Sequence, residues 1–279
     1  MFDFIPKIPV ADWVDDLTNW IKESFSFIFN PLKNEFGDFI EWIADLLGAV
    51  PPIIIMVLVV VGAFFITGKK FGLAAFSLVG LLFIENQGLW TELMSTFTLV
   101  LMASLLSVIV GVPVGILMSK SKVAEAIILP ILDFMQTMPA FVYLIPAVAF
   151  FSIGMVPGIF ASLIFATPPT VRFTNLGIRQ VSTELKEAAE AFGSTGAQKL
   201  FKLELPMAKG TIMAGINQTV MLALSMVVIA SMIGAPGLGN PVVSALQRAQ
   251  AGAGFVAGIS IVILAIIMDR YTQSIYKKQ

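Results

Sequence analysis

The sequence contains no cysteine and no histidine among its 279 residues. Their absence excludes disulfide bonds, Cys/His metal centres, thiol nucleophiles and imidazole acid–base chemistry. Charged residues are also scarce, at 13% of the chain, and the formal net charge is only −1. We expect no catalytic residue, no metal site and no nucleic-acid partner for this chain.

Apolar residues, in contrast, make up 57% of the sequence, and the mean hydropathy is +0.91. Soluble domains usually contain fewer, and several apolar runs approach the roughly 20 residues that a helix needs to cross a bilayer. The predicted fold class is therefore an all-α polytopic membrane protein. No signal peptide is predicted, because the first 16 residues carry four aspartates where such a peptide has basic residues.

Residues 1–50 form the first predicted domain, an acidic segment with nine acids and three bases. Amphipathic helices are predicted at 11–29 and 32–47, on either side of Asn30-Pro31, because apolar side chains recur there at helical spacing. Three tryptophans in these helices are typical of a membrane–water interface. We interpret the segment as an interfacial support for the helix bundle, with docking of a partner as the alternative.

Two further domains are predicted, a pair of peripheral transmembrane helices at 51–88 and a transmembrane core at 89–279. The fourth span contains Pro130, Pro139 and Pro146, which predict a broken helix or a helix followed by a re-entrant piece. About seven spans are predicted, at 52–67, 71–87, 92–118, 123–152, 156–176, 208–233 and 254–276.

The basic residues predict the orientation of these spans. Of the fourteen bases after residue 50, only Arg248 falls on one side of the seven-span arrangement, and the others share the opposite side. Since positive charge marks the cytosolic side, the N-terminus is predicted outside and the C-terminus in the cytosol. The 177–207 loop is then cytosolic.

That loop contains the polar block ELKEAAEAFGSTGAQKLFKLELP at 184–206. A serine and a threonine immediately before the block can cap a first helix, and Gly193 stands where its end favours a residue that tolerates positive φ. A threonine and a glutamine further on fit the capping box of a second helix, which Leu205-Pro206 is expected to stop. The prediction is a helix–elbow–helix that a partner can approach closely, with an ordinary connecting loop as the alternative.

Seven residues of the block stand at a defined spacing, namely Glu187, Ala188, Ala189, Gly193, Leu203, Leu205 and Pro206. This arrangement resembles the EAA signature of ABC importer permeases, EAA-x3-G-x9-I-x-LP, with Leu203 in place of the usual isoleucine. In that family the loop carries coupling helices that insert into a cleft of a separate ATPase subunit. The resemblance therefore implies that the block is the site of ATPase coupling.

Further similarity is carried by residues 133–181, 217–239 and 263–273, so that it covers about 90–275 of the chain. These segments resemble permease subunits of osmoprotectant ABC importers of the glycine betaine/proline type. The resemblance implies a type I ABC importer transmembrane fold in a bacterial cell membrane. It also implies a second permease copy, an ABC ATPase dimer, and an extracellular binding protein that delivers a quaternary ammonium solute.

No nucleotide site is expected in the chain itself. The stretch from Gly62 to Lys70 superficially resembles a phosphate loop, but it has five residues between its glycines instead of four and no Ser/Thr after the lysine. ATP and Mg are therefore expected on the partner ATPase, and this chain is expected to be a transport subunit rather than an enzyme.

A quaternary ammonium solute has no N–H donor and is recognised by aromatic faces through cation–π attraction. Aromatic, Met and polar residues of the fourth and sixth spans are the candidate pathway residues, although packing and ties between helices account for the same residue types. Asp133 is the sharpest, since a carboxylate in a span should face protein or water; a partnered structural role or a gate role is equally open. The candidates are Asp133, Phe134, Met135, Thr137, Phe141, Tyr143, Asn217, Ser225 and Met226.

Turn residues are concentrated in the loop after the sixth span. By the same resemblance this loop lies near an outer gate where the binding protein docks, and a plain turn is the alternative. The residues concerned are Gly234, Pro236, Gly237 and Gly239.

The sequence thus predicts the membrane subunit of an ATP-driven importer of osmoprotective quaternary ammonium solutes. An ion-coupled secondary transporter of similar solutes is the alternative, because broken helices and Asp133 suit that class. That class needs no cytosolic helix–elbow–helix, and we find no inverted repeat. A membrane scaffold or channel accounts for the apolar mass but not for the loop. The choice among glycine betaine, proline betaine, carnitine, choline and proline stays open.

Overall fold

The computed structural model describes residues 9–68 and 71–277, and every regular element in these ranges is a helix. This confirms the predicted all-α class. Several residues used in the sequence predictions lie outside the described ranges, namely 1–8, Lys69, Lys70 and Lys278.

The described part of the N-terminal segment, residues 9–50, forms three helices rather than the two predicted. The helices are separated at Phe25 and at Asn34. Pro31 lies inside the second helix, so the predicted break at Asn30-Pro31 was wrong. This proline removes one N–H from the hydrogen-bond ladder of a helix that ends two residues later, so little is lost by including it. The helices are α1 (Val10–Ser24), α2 (Ser26–Lys33) and α3 (Glu35–Ala49).

The second and third of these helices, α2 and α3, pack against the rest of the protein. Phe29 stacks on Phe150 with ring centroids 4.7 Å apart, and Ile40 is fully buried in the main hydrophobic cluster. After Pro51 the chain turns by 92° into the next helix, whose first residue is Pro52. A proline suits that position because its missing N–H would be unpaired there in any case. The next two helices are α4 (Pro52–Ile66) and α5 (Phe71–Asn86).

Three long helices form the core, with the central one packed between the other two along much of its length. Apolar attraction is weak between helices in lipid, so close approach of small residues and interhelical hydrogen bonds hold such contacts. Gly111 and Gly115 meet Thr170 and Thr174, and Thr170 hydrogen-bonds to Thr219 at 2.7 Å. The three helices are α6 (Trp90–Lys120), α9 (Met155–Arg179) and α12 (Leu205–Ser231).

The predicted break in the fourth span is confirmed. Its two parts meet at 110°, with Met138-Pro139 between them. Proline denies the helix one hydrogen bond and sterically disfavours helical geometry in the residue before it. The elements are α7 (Lys122–Thr137), a 3-10 turn (Ala140–Tyr143) and α8 (Leu144–Phe151).

The expected stop at Leu205-Pro206 was wrong. A π turn connects the second loop helix to α12, and residues Gly196–Ser231 run on as one 36-residue helical stretch. Pro206 is tolerated because it follows the π turn, in the first turn of α12. The remaining elements are α10 (Thr183–Ala191), α11 (Gly196–Lys199), the π turn (Leu200–Glu204), α13 (Gly239–Gln247) and α14 (Ala251–Lys277).

By length and hydropathy, three helical stretches in the described part of the chain can cross a membrane. They become up to five if each of two bent helix pairs, Ser26–Ala49 with Pro52–Ile66 and Lys122–Thr137 with Ala140–Phe151, counts as one span. The three are Trp90–Lys120, Gly196–Ser231 and Ala251–Ser274.

Replacing Gly115 by alanine is expected to destabilise the contact between α6 and α9. The added Cβ would lie 2.7 Å from the Val171 carbonyl oxygen, a backbone atom that cannot rotate away. We expect a loss of about 1–3 kcal/mol, measured as a lower unfolding temperature in detergent. Gly258→Ala is the control, since no heavy atom lies within 4 Å of the Cβ added there. Equal unfolding temperatures for the two variants would contradict this account of the core.

Candidate functional site

Residues 184–206, named the coupling segment after the role predicted for them, form the predicted helix–elbow–helix. The Ser182 hydroxyl accepts a hydrogen bond from the Leu185 N–H at 3.4 Å and caps α10. At the other end Gly193 has φ +75°, and the Ser194 N–H donates to the Ala189 carbonyl at 3.0 Å. The first bond satisfies an N–H at the start of the helix and the second a carbonyl at its end, groups that a helix otherwise leaves unpaired. The cap and the left-handed elbow predicted from the sequence are both confirmed.

The predicted capping box of the second helix is also confirmed. The Thr195 N–H donates to Gln198 Oε1 at 2.9 Å, and the Gln198 N–H donates to Thr195 Oγ1 at 3.3 Å. An ion pair between Glu190 and Lys199 joins the two short helices across the elbow. The hydrogen bond from Lys199, assisted by its positive charge, lowers the pKa of Glu190. The carboxylate therefore stays ionised at neutral pH, and the pair is lost only as the pH falls through that lowered pKa.

The elbow presents an apolar side chain to the surroundings. Phe192 is 91% exposed at the end of α10, beside exposed Glu187 and Ala188 and half-buried Ala189. Phe201, further along the same segment, is 67% exposed as well, and aromatic side chains are enriched in protein–protein interfaces. We did not single out Phe192 from the sequence, although its place directly before the elbow glycine was a usable signal.

The second half of the EAA-type spacing lies at the junction with the core. Leu203 and Leu205 are half-buried and Pro206 is exposed. Between the leucines, Glu204 is only 2% exposed and forms an ion pair with Lys120 at the end of α6. A buried charge must be paired to be tolerated. Sequence reasoning missed this pair, because 84 residues separate its partners.

Asp133 forms an ion pair, as expected if its role is structural, which was one of the alternatives left open by the sequence. Its carboxylate lies 2.5 Å from Arg172 on α9, and a second pair, Glu125 with Arg179 at 2.6 Å, joins the same two helices. Arg179 also donates to the Met118 carbonyl at 3.0 Å. The side chain of Asp133 is 64% exposed, so its carboxylate is still reachable from outside the protein. Its role in the pathway stays a prediction.

The remaining pathway candidates fall into separate groups rather than one pocket. Tyr143 and Met226 are buried in one cluster, and the Tyr143 hydroxyl donates to the Met135 carbonyl. Asn217 instead donates to Asp269 on α14 at 2.9 Å, so it ties two helices together. Exposed candidates are Phe134, Phe141, Thr137 and Ser225, and the two hydroxyls among them hydrogen-bond to backbone carbonyls of their own helices.

The loop after α12 is a tightly packed turn. Gly234 and Gly237 have φ +81° and +137°, and Gly239 packs against α12. The Leu238 N–H donates to Thr96 Oγ1 of α6 at 2.8 Å, and both residues are fully buried. Pro236 is exposed. The loop therefore presents a rigid surface, and its role at an outer gate stays a prediction.

Replacing Thr96 by valine is expected to loosen this turn. Valine has the shape of threonine but leaves the buried Leu238 N–H without its acceptor, at a cost of about 1–3 kcal/mol. We expect faster hydrogen exchange of that amide and a lower unfolding temperature. Thr96→Ser keeps the hydroxyl and should retain slow exchange. Rapid exchange in the unsubstituted protein would show that the bond does not anchor the turn.

An all-helical membrane core with an exposed helix–elbow–helix that carries the EAA-type spacing is characteristic of one class of protein. That class is the membrane subunits of ABC importers. Residues 107–278 match the family described as the binding-protein-dependent transport system inner membrane component. The chain belongs to this family. It is therefore a multi-pass permease of the inner membrane, and the ATPase of such a system is a separate subunit.

Curated relatives match almost the whole chain. The glycine betaine/carnitine transport permease protein GbuB of Listeria monocytogenes is 60% identical over 98% of each chain. The glycine betaine transport system permease protein OpuAB of Bacillus subtilis is 50% identical over 99% of this chain and 98% of that protein. The glycine betaine/proline betaine permease ProW of Escherichia coli is 45% identical over 96% of this chain and 75% of its own length.

Among solved structures, an inward-facing form of the MetNI methionine ABC transporter is similar in fold. The TM-score is 0.62, with 21% sequence identity, and the match covers 68% of this chain and 95% of that one. At this identity the likeness shows the fold alone. It confirms the ABC importer permease fold predicted from the resemblance.

Proposed function

We propose that this chain translocates glycine betaine and related quaternary ammonium osmoprotectants as the permease of an ATP-driven importer. The observation that carries the proposal is the coupling segment, a capped and bent pair of helices exposed on a membrane core. Three curated permeases named for glycine betaine transport, 45–60% identical to this chain, support the choice of solute.

The coupling segment is the part of the chain through which ATP hydrolysis on a separate subunit can act. Its exposed face carries Glu187, Ala188 and Phe192, which suit a cleft on an ABC ATPase, and its inner end at Leu205 continues directly into α12. When ATP and Mg close the ATPase pair, the coupling segments of two permease copies are drawn together and the pathway opens outward. A ligand shifts such an equilibrium only by its differential affinity for the two states. ATP and an external binding protein should therefore both favour the outward-open form.

The pathway itself is proposed to run beside the broken fourth span. Exposed Phe134 and Phe141 offer aromatic faces for a quaternary ammonium group, by cation–π attraction of about 0.5–2 kcal/mol per ring. Asp133 lies on the same span, and together with its partner Arg172 on α9 it offers both charges to a zwitterion. The packed turn at Gly234–Gly239 is proposed as the outer surface at which the binding protein docks.

The proposed topology has seven spans, with the N-terminus outside and the C-terminus in the cytosol. It counts α4, α5, α6, the α7–α8 pair, α9, α12 and α14 as spans. Short α5 and proline-containing α9 are included because they pack against membrane-spanning neighbours. In this arrangement the coupling segment is cytosolic and α13 is external.

Single cysteines test this topology directly, because the chain has none of its own. Lys22→Cys and Gln247→Cys are exposed positions separated by an even number of proposed spans. Both should react with a membrane-impermeant maleimide in intact cells. Thr183→Cys, before the coupling segment, should react only after permeabilisation. Labelling of Lys22→Cys and Gln247→Cys from opposite sides would contradict the span count.

Gly193→Ala is expected to uncouple the permease from its ATPase. A left-handed residue with a Cβ costs about 1–2 kcal/mol, so the elbow should open and redirect Phe192. We expect roughly tenfold weaker co-purification of the ATPase and a parallel loss of ATP-dependent glycine betaine uptake in proteoliposomes. Gly196→Ala is the matched control, since Gly196 is helical and a Cβ there meets nothing within 4 Å.

The same assay separates the importer from an ion-coupled transporter. Uptake by the unsubstituted permease should require both ATP and the ATPase. Uptake driven by a sodium or proton gradient without the ATPase would favour the secondary-transporter alternative, as would indifference of uptake to Gly193→Ala.

A further inference from the structure

We propose that Glu204 and Lys120 are positioning residues that carry movement of the coupling segment into α6, an inference that rests on the proposed function. Glu204 lies on the π turn, between the last short helix of the coupling segment and α12. Its side chain is 2% exposed and pairs with Lys120, the final residue of α6, which is 38% exposed. The pair thus joins the coupling segment to a core helix other than the one it continues into.

A second ion pair lies at the exposed end of the same segment. Glu190 of α10 pairs with Lys199, the last residue of α11 before the π turn that carries Glu204. The Glu190–Lys199 pair holds the elbow to α11, and the Glu204–Lys120 pair holds the π turn to α6. Displacement of the elbow therefore reaches α6 along the helical backbone from Lys199 to Glu204 and then through the buried pair.

The Glu204–Lys120 pair is the hardest of these connections to separate, because Glu204 is buried. Separating a buried pair leaves an uncompensated charge, which is far more costly than separating an exposed pair. Because Glu204 is almost fully buried, Lys120 should move with it. The C-terminal half of α6 contacts α9 through Gly111 and Gly115, so movement of the end of α6 reaches the central helix of the core. The coupling segment would then act on α12 through the chain and on α6 through this pair.

The test compares uptake with ATP hydrolysis in proteoliposomes that contain the permease, its ATPase and the binding protein. Glu204→Gln should assemble with the ATPase in normal amount but transport roughly fivefold fewer solute molecules per ATP. The exchange Lys120→Glu with Glu204→Lys should restore at least about half of the original ratio, since the pair is re-formed with opposite polarity. Glu190→Gln, at the exposed end, should lower the ratio less. Lys122→Gln, an exposed lysine two residues beyond Lys120, is the control and should leave the ratio unchanged.

Several outcomes would overturn the proposal. In Glu204→Gln, uptake and hydrolysis could fall together and in proportion to a smaller amount of assembled complex. That result would assign the pair a structural role only. An unchanged ratio in Glu204→Gln, or no recovery in the exchanged pair, would also reject it. Absence of any ATP-dependent uptake by the unsubstituted complex would instead reject the proposed function, so the two failures are distinguishable.

Discussion

The structure depends on how closely α9 can approach the helices on either side of it. Within lipid there is no water to drive apolar surfaces together, so the contact is held by van der Waals packing and by a few hydrogen bonds. Glycines of α6 receive threonines of α9 on one side, and Thr219 of α12 donates to the Ala166 carbonyl at 2.9 Å on the other. Such contacts do not deform continuously, because neither a glycine nor a backbone carbonyl can yield. The core is therefore suited to move as a few rigid helices.

Local order could be predicted well from the sequence wherever its cause was local. The caps at Ser182 and Thr195 follow from side chains that bond to neighbouring backbone groups, and the positive φ at Gly193 follows from the absence of a Cβ. The break near Pro139 follows from the ring of one residue. These predictions needed no knowledge of tertiary packing, and they gave the helix–elbow–helix shape of residues 184–206 correctly.

Prolines were misjudged where the surroundings decide their effect. Pro31 and Pro206 were both taken as boundaries, yet one lies inside a helix and the other continues one. Spacing along the chain could not show that a π turn precedes Pro206. The ion pairs were missed for a related reason, because Glu204 and Lys120 meet only once α6 and the π turn are side by side. Hydropathy predicted apolar spans but could not rank them by burial, and so did not show α9 as the central helix.

Uncharged and ionised polar groups lie in different parts of the molecule. Buried polar groups of the core are mainly hydroxyls, and several of them hydrogen-bond within and between helices. Ionised pairs occur at helix ends and between α7 and α9, at positions that are at least partly open to the surroundings. Glu204 departs from this division by being both charged and buried. It lies where the exposed segment joins the core.

The π turn also lets the junction between the 184–206 segment and the core hold an extra residue. A π turn needs about one residue more than an α turn to complete nearly the same rotation, so Leu200–Glu204 take the place of about four residues of a regular helix. Deleting a single residue from this stretch would let the helix run on regularly and would leave the elbow facing nearly the same side of the protein. The junction therefore tolerates a change of one residue in length while the direction of the exposed elbow is kept.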